Sequence, residues 1–226
     1  MFPNGFVDFM IHDASIFVYL IFVASFFGIG LIIQRAIALW GTHRLDYDGV
    51  TNQIAGFVET GAYNQALQVC NGGNHPMTEI MKAALIRANR SERELRRGVE
   101  VVAMEEITKF KGGTHLLPHV SNIATLLGLM GTIKGLITSF AGLSSGDAAA
   151  RTEILSRGVS EAFTATFFGI LTATITITGF LFLFSKQGKM LHKIEHGVAT
   201  VIDAILTKQS EIRNQDAPAP SARAAR

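Results

Sequence analysis

Three runs without Asp, Glu, Lys or Arg constrain this chain more than any other feature. They cover residues 14–34, 112–133 and 162–185, which are 21, 22 and 24 residues long. About 20 residues of helix cross the hydrocarbon core of a bilayer, and a helix satisfies its own backbone groups there. The first and third runs are strongly apolar. The second opens on His115, His119, Ser121 and Asn122, and its apolar part extends from Ile123 to Leu143 with Lys134 inside it. Charged residues make up 17% of the chain and mean hydropathy is +0.31, against roughly 25% charged residues in a soluble domain. The expected fold is an all-α membrane protein with three transmembrane helices and long cytoplasmic helical extensions.

The flanks orient the spans. No Lys or Arg precedes Arg35, whereas Arg35, His43 and Arg44 follow the first run, Lys109 and Lys111 precede the second, and Lys186, Lys189 and Lys193 follow the third. Positive residues gather on the cytoplasmic side. The expected order is a periplasmic or interfacial segment at 1–13, transmembrane helix 1 at 14–40 and a cytoplasmic helical domain at 41–114. Transmembrane helix 2 follows at 115–143, a periplasmic loop at 144–160 and transmembrane helix 3 at 161–185. A cytoplasmic amphipathic helix at 186–213 and a disordered tail at 214–226 complete the chain. The first run reads as a retained anchor that faces lipid, because it lacks the basic start of a signal peptide.

Within 41–114 the charges balance, nine basic against nine acidic, which suits a solvated helical domain rather than a nucleic-acid surface. Asp48 is the expected cap of a helix ending near Gly61, a second helix covers 62–70, Pro76 opens a third, and Ser91 with Glu94 forms a capping box for a fourth. Arg87, Arg90, Arg93, Arg96 and Arg97 read as a solvated helix face. Leu191, Ile194, Val198, Val201, Ile202 and Ile205 recur at helical spacing. The lone cysteine, Cys70, excludes an internal disulfide and reads as a buried thiol.

Catalytic patterns fail on context. Residues 142–146, GLSSG, fit a nucleophile elbow, but that motif works on a strand-to-helix turn and here it ends a membrane helix. Residues 192–196, HKIEH, place two histidines one turn apart with no evident third metal ligand, and His115 with His119 repeat that spacing. No phosphate-binding GxxxxGK[ST] loop occurs. The chain is therefore read as not an enzyme, with no cofactor and no metal.

The polar content of the second and third spans carries the functional reading. Gly128, Gly131 and Gly135 in one, and Ala165, Gly169 and Ala173 in the other, are small residues at helical spacing that let backbones approach closely. Thr125, Thr132, Thr138, Thr164, Thr166, Thr172, Thr174, Thr176 and Thr178 supply nine hydroxyls, more than bonding back to the helix requires. Lys134 and Glu161 are intramembrane charges, which tend to face a protein interior and pair. No carboxylate lies at mid-depth, so a proton path through this chain needs a titrating group from a partner.

These residues carry a resemblance. Residues 126–140, LLGLMGTIKGLITSF, resemble the second-span signature of the TolQ/ExbB/MotA proton-channel family, and 158–169, GVSEAFTATFFG, resemble its third-span signature. The IIQR exit at 32–35 and TGAYNQALQVC at 60–70 are also similar, and the likeness is nearest to TolQ/ExbB-type subunits. It implies a pentameric bundle around a pore lined by spans two and three. It also implies two copies of a single-span partner of the TolR/ExbD/MotB type that place an Asp in that pore. By position, Thr132 and Thr166 would line the ion pathway and Glu161 would be a gating or structural carboxylate. Lys134 departs from the family pattern, where an apolar or aromatic residue is more usual. The coupling ion is read as a proton, and the extra hydroxyls leave sodium open. The function implied is a channel or stator subunit of an inner-membrane motor that energises a partner for mechanical work at the cell envelope. A scaffold that anchors a partner without conducting ions is the alternative.

Overall fold

The computed structural model describes residues 16–42, 46–73, 75–144 and 147–215. Seven α-helices occur in that part of the chain: α1 (Ile16–Thr42), α2 (Tyr47–Glu59), α3 (Tyr63–Asn71), α4 (Pro76–Ile86), α5 (Glu92–Lys111), α6 (Leu117–Ala141) and α7 (Ala148–Gln215), with 3-10 turns at Gly112–Leu116 and Gly142–Ser144. There is no strand among the described residues. Three helical segments are long and apolar enough to cross a membrane, as the three charge-free runs require. The segment 1–13 and most of the tail from 216 lie outside the described residues; Asn214 and Gln215 close α7.

The expected loop at 144–160 is a correction. Helix α7 begins at Ala148, so most of that stretch is helical. Asp147 explains the start: its Oδ1 accepts from the Ala149 amide at 3.2 Å and its carbonyl accepts from Arg151 at 3.1 Å. A cap followed by three alanines is a strong helix start. The charges at Arg151, Glu153 and Arg157 are the exposed side of that helix. From there α7 runs unbroken for 68 residues through the third apolar run and into the amphipathic segment.

The chain divides into two compact units, one formed by residues 1–38 and 113–185, the other by 39–112 and 186–226. The first is the membrane unit. On α6 the buried positions include Ala124, Gly128, Gly131, Gly135 and Ser139; on α7 they include Gly158, Ala162, Ala165, Gly169, Thr172 and Thr176. Both series advance by steps of three or four, the spacing that keeps one face against a partner helix. The contact is close. A methyl on Gly135 would lie 2.6 Å from the Gly158 carbonyl oxygen, and one on Gly169 would lie 2.9 Å from that of Ala124. Ala173 lies beside this seam, where its carbonyl accepts from Ser121 Oγ at 3.0 Å.

Helix α1 is not wholly lipid-facing. Val18, Ile21 and Gly28 are buried, Phe22 meets Phe168 with ring centroids 5.2 Å apart, and Gly28 lies against Val120 and Thr176. Val23, Phe26, Phe27, Ile33 and Ile37 remain exposed.

In the second unit the predicted stripe on the end of α7 is real: Ile194, Val198, Val201, Ile202 and Ile205 are buried, together with Ile54, Val58, Met77, Ile80, Met81, Leu95 and Val99 from α2, α4 and α5. The Ser91–Glu94 capping box is present. Asp46, rather than Asp48, caps α2 by accepting from the Gly49 amide at 3.1 Å. Asp48 lies 3.8 Å from Lys193 Nζ. His75 caps α4 through Nδ1, which accepts from the Met77 amide at 3.1 Å. The arginines of 87–97 are solvated in the main, with Arg96 bridging Glu92 at 2.9 Å and Arg87 donating to the Ala83 carbonyl.

Candidate ion path in the membrane unit

The glycine seam brings the hydroxyls of Thr132 and Thr166 into contact across α6 and α7. Each also lies 3.1 Å from the carbonyl four residues back on its own helix, Gly128 for Thr132 and Ala162 for Thr166. A hydroxyl has one proton. If both donate backwards, their oxygens face each other lone pair to lone pair, so one of them donates across the seam instead. The result is a cluster of four oxygens, two hydroxyl and two carbonyl, bound to helix walls that the small residues hold close. Both threonines are half-buried. Such a cluster can accept a hydrogen bond from a hydrated proton or coordinate a small cation.

Other hydroxyls are engaged locally. Thr125, Thr138, Thr164, Thr174 and Thr176 each donate to the carbonyl four residues back. Back-bonding therefore accounts for most of the threonines, and their number is not in itself a sign of a solvated path. Ser121 donates across to the Ala173 carbonyl, and Ser139, which sequence reasoning passed over, reaches both the Gly135 carbonyl on its own helix at 3.0 Å and the Leu155 carbonyl across the seam at 3.3 Å. Its signal was position: Ser139 continues the Gly128–Gly131–Gly135 series by one more turn.

Toward the 142–147 connection, Lys134 Nζ lies 3.0 Å from Glu161 Oε1. The carboxylate side chain is 15% exposed and the lysine 46%. Lys134 is two residues beyond Thr132 and Glu161 five before Thr166, so at 1.5 Å per residue the pair sits within about 8 Å of the hydroxyls along either axis. The five packing residues expected from the sequence, Gly128, Gly131, Gly135, Ala165 and Gly169, are all buried in the seam. Among the described residues no group of three metal-ligating side chains forms, and His192, Glu195 and His196 are exposed on α7.

Two helices long and apolar enough to cross a membrane thus carry a half-buried hydroxyl pair with an ion pair close by. The family model described as the MotA/TolQ/ExbB proton channel family matches residues 73–196, more than half of the chain and both signature spans. The chain belongs to that family. Among curated relatives it is similar to the putative biopolymer transport protein ExbB-like 3 of Synechocystis, 28% identical over 154 residues that cover 68% of this chain and 73% of the relative. It is also similar to the putative ExbB homolog of Methanothermobacter thermautotrophicus, 24% identical over 82% of this chain and 66% of the relative. Biopolymer transport protein exbB1 of Vibrio cholerae is 29% identical over half of each chain. A solved structure described as C. jejuni MotAB shares the fold, with a TM-score of 0.56 at 18% identity over 92% of this chain and 88% of that one.

Proposed function

We propose that this chain is the channel subunit of an ion-driven motor in the bacterial inner membrane. The observation that carries the proposal is the Thr132–Thr166 hydroxyl contact at the centre of a glycine-packed helix pair, in a member of a proton-channel family. In this reading the threonine pair lines the ion path, and Glu161, tethered by Lys134, sets the charge at its outer end. Five copies surround the pore. Two single-span partners of the TolR/ExbD/MotB type supply the carboxylate that this chain lacks at mid-depth, and ion flow moves the partner to do work at the envelope. The N-terminus is periplasmic and the C-terminus cytoplasmic, as the Lys/Arg bias supports. The coupling ion is a proton, with sodium as the alternative that the oxygen cluster also suits. The chain catalyses no covalent reaction.

The test is ion flux in liposomes that hold the chain with its cognate partner. Thr132→Val and Thr166→Val keep the packing volume and remove the hydroxyls. Each is expected to lower flux by about tenfold, the scale of one net hydrogen bond, while assembly is retained. Full flux in both variants would overturn the ion path. Assembly with the partner but no flux in the unmodified protein would favour the scaffold.

A further inference from the structure

Small side chains, Ala55, Thr200 and Ala204 among them, line a groove of about 410 Å³ between α2 and the end of α7, with Glu59, Asp203 and Glu211 as its carboxylates. Lys208, also in the lining, is taken up by Glu211 at 3.2 Å. Glu59 and Asp203 are exposed and have no ion pair among the described residues. A second surface of the same unit carries the opposite charge. Arg93 and Arg97, one turn apart on α5, are exposed and have no ion pair among the described residues. Val101 and Met104 continue that stripe, each 62% exposed. Arginine and methionine beside exposed apolar surface are the composition of a protein interface.

Within one copy the two surfaces face apart. Gln209 Nε2 donates at 3.1 Å to the carbonyl of Arg90, in the turn that leads into α5. At 3.6 residues per turn, Thr200, Ala204, Thr207 and Glu211 lie about 140–180° around α7 from Gln209. Arg93 and Arg97 lie about 160° around α5 from Leu95 by the same measure, and Leu95 is buried. Their depths nevertheless match. Gln187 Nε2 donates to the Phe110 carbonyl at 3.0 Å, which levels this part of α7 with the end of α5. At 1.5 Å per residue, Asp203 lies about 24 Å beyond that tie along α7, and Arg97 and Arg93 lie about 20 and 26 Å from it along α5. Copies inserted in one membrane share orientation and depth, so groups at equal depth are the ones that can meet.

We propose that Arg93 and Arg97 of one copy dock into the Glu59–Asp203 groove of the next. Complementary surfaces on opposite sides of a unit make a head-to-tail contact, which closes into a ring where the rotation allows, and their charges fix its register. The contact rests on the reading of several copies around a pore and names the surfaces that join their second units.

Cross-linking between separately tagged copies tests it. One copy carries Val101→Cys and the other His196→Cys, two exposed positions that each lie about 14 Å from the Gln187–Phe110 tie. His196 is one turn before Thr200 on the groove side, and the native Cys70 is buried. A short bis-maleimide added to membranes holding both full chains is expected to join the two tags, with little product when both copies carry the same cysteine. Arg93→Glu with Arg97→Glu, present in all copies, should lower the yield about fivefold or more, the scale of a lost exposed ion pair. Glu59→Lys with Asp203→Lys should do the same, and all four substitutions together should restore the product. Unchanged yield after reversal of the arginines, the result expected if the groove holds some other basic segment, would overturn the proposal. So would a fourfold variant no better than either reversal. Sizing the same samples separates the two readings: an intact oligomer without the cross-link removes this contact alone, whereas a single-copy species removes the ring as well.

Discussion

Lys134 and Glu161, 27 positions apart in sequence, meet at 3.0 Å across the α6–α7 seam. The carboxylate is the more enclosed partner, so the two ends of the pair do not respond alike to substitution. Removing the lysine leaves a charge in a largely buried position, whereas removing the glutamate leaves a cation that reaches solvent or headgroups.

Lys134→Met should therefore destabilise the membrane unit more than Glu161→Gln. Because Lys134 is almost half exposed, the cost should be near the upper end for surface pairs, about 1 kcal/mol, rather than that of a fully buried pair. The double variant with the charges exchanged should recover at least half of the loss. Thermal unfolding in detergent, run as a double-mutant cycle, measures the coupling; a coupling of zero would remove the pair from any account of gating.

The seam makes a paired prediction about glycine. Gly135→Ala places a methyl 2.6 Å from the Gly158 carbonyl and 2.9 Å from Ala162, so α6 and α7 must separate, at a cost of about 1–3 kcal/mol. Gly30 lies on the exposed side of α1 and has nothing within 4 Å of an added methyl. Gly30→Ala should instead stabilise the helix by up to about 1 kcal/mol. Melting temperatures of the two variants should move in opposite directions, and disulfide trapping between cysteines placed on α6 and α7 should slow only in the first.

Much of this is legible in the sequence. The three apolar runs, the capping box at Ser91 and the stripe from Ile194 to Ile205 depend on length and periodicity, which survive folding unchanged. The losses have physical causes. Residues 144–160 read as a loop because they join two spans, whereas the Asp147–Ala148–Ala149–Ala150 start, a cap before strong helix formers, makes most of them helix. Asp46 and Asp48 stand two residues apart, and only backbone geometry decides which one reaches an amide. His75 as a helix cap was hidden because imidazole is not among the usual caps. The threonines were over-read, since composition does not reveal which carbonyl a hydroxyl meets.

Cys70 offers a check on the second unit. It is fully buried, and burial, reinforced by the nearby Glu79 carboxylate, pushes its thiol up to about 11. The thiolate is the reactive form, so almost none exists at neutral pH. A maleimide should label the folded chain at least about 100-fold more slowly than the denatured chain. Rapid labelling at pH 7 under native conditions would mean that α3 does not stay packed.

His75 gives the second unit a pH dependence whose sign follows from its contacts. Nδ1 accepts from the Met77 amide, so the ring proton resides on Nε2, 3.2 Å from the Tyr47 hydroxyl. Protonation would place a second donor against the Met77 N–H and abolish the cap of α4. Burial also lowers the pKa of His75 below its ordinary 6.5. Lys193 lies 5.7 Å above the Tyr47 ring and approaches Asp48, and Glu79 stands in the first turn of α4; none of the three makes a bond to the imidazole. The unfolded chain thus takes up a proton at a higher pH than the folded one. Stability from this site is complete above about pH 6.5, declines as pH falls below it, and levels off once the folded ring also protonates. His75→Asn keeps an acceptor that can cap the helix and removes the titration. It should be less stable than the unmodified protein at pH 7.5, because the Tyr47 contact is lost, yet its melting temperature should fall less between pH 7.5 and 5.5. Parallel melting profiles for the two proteins over that range would show that His75 does not govern the acid response of this unit.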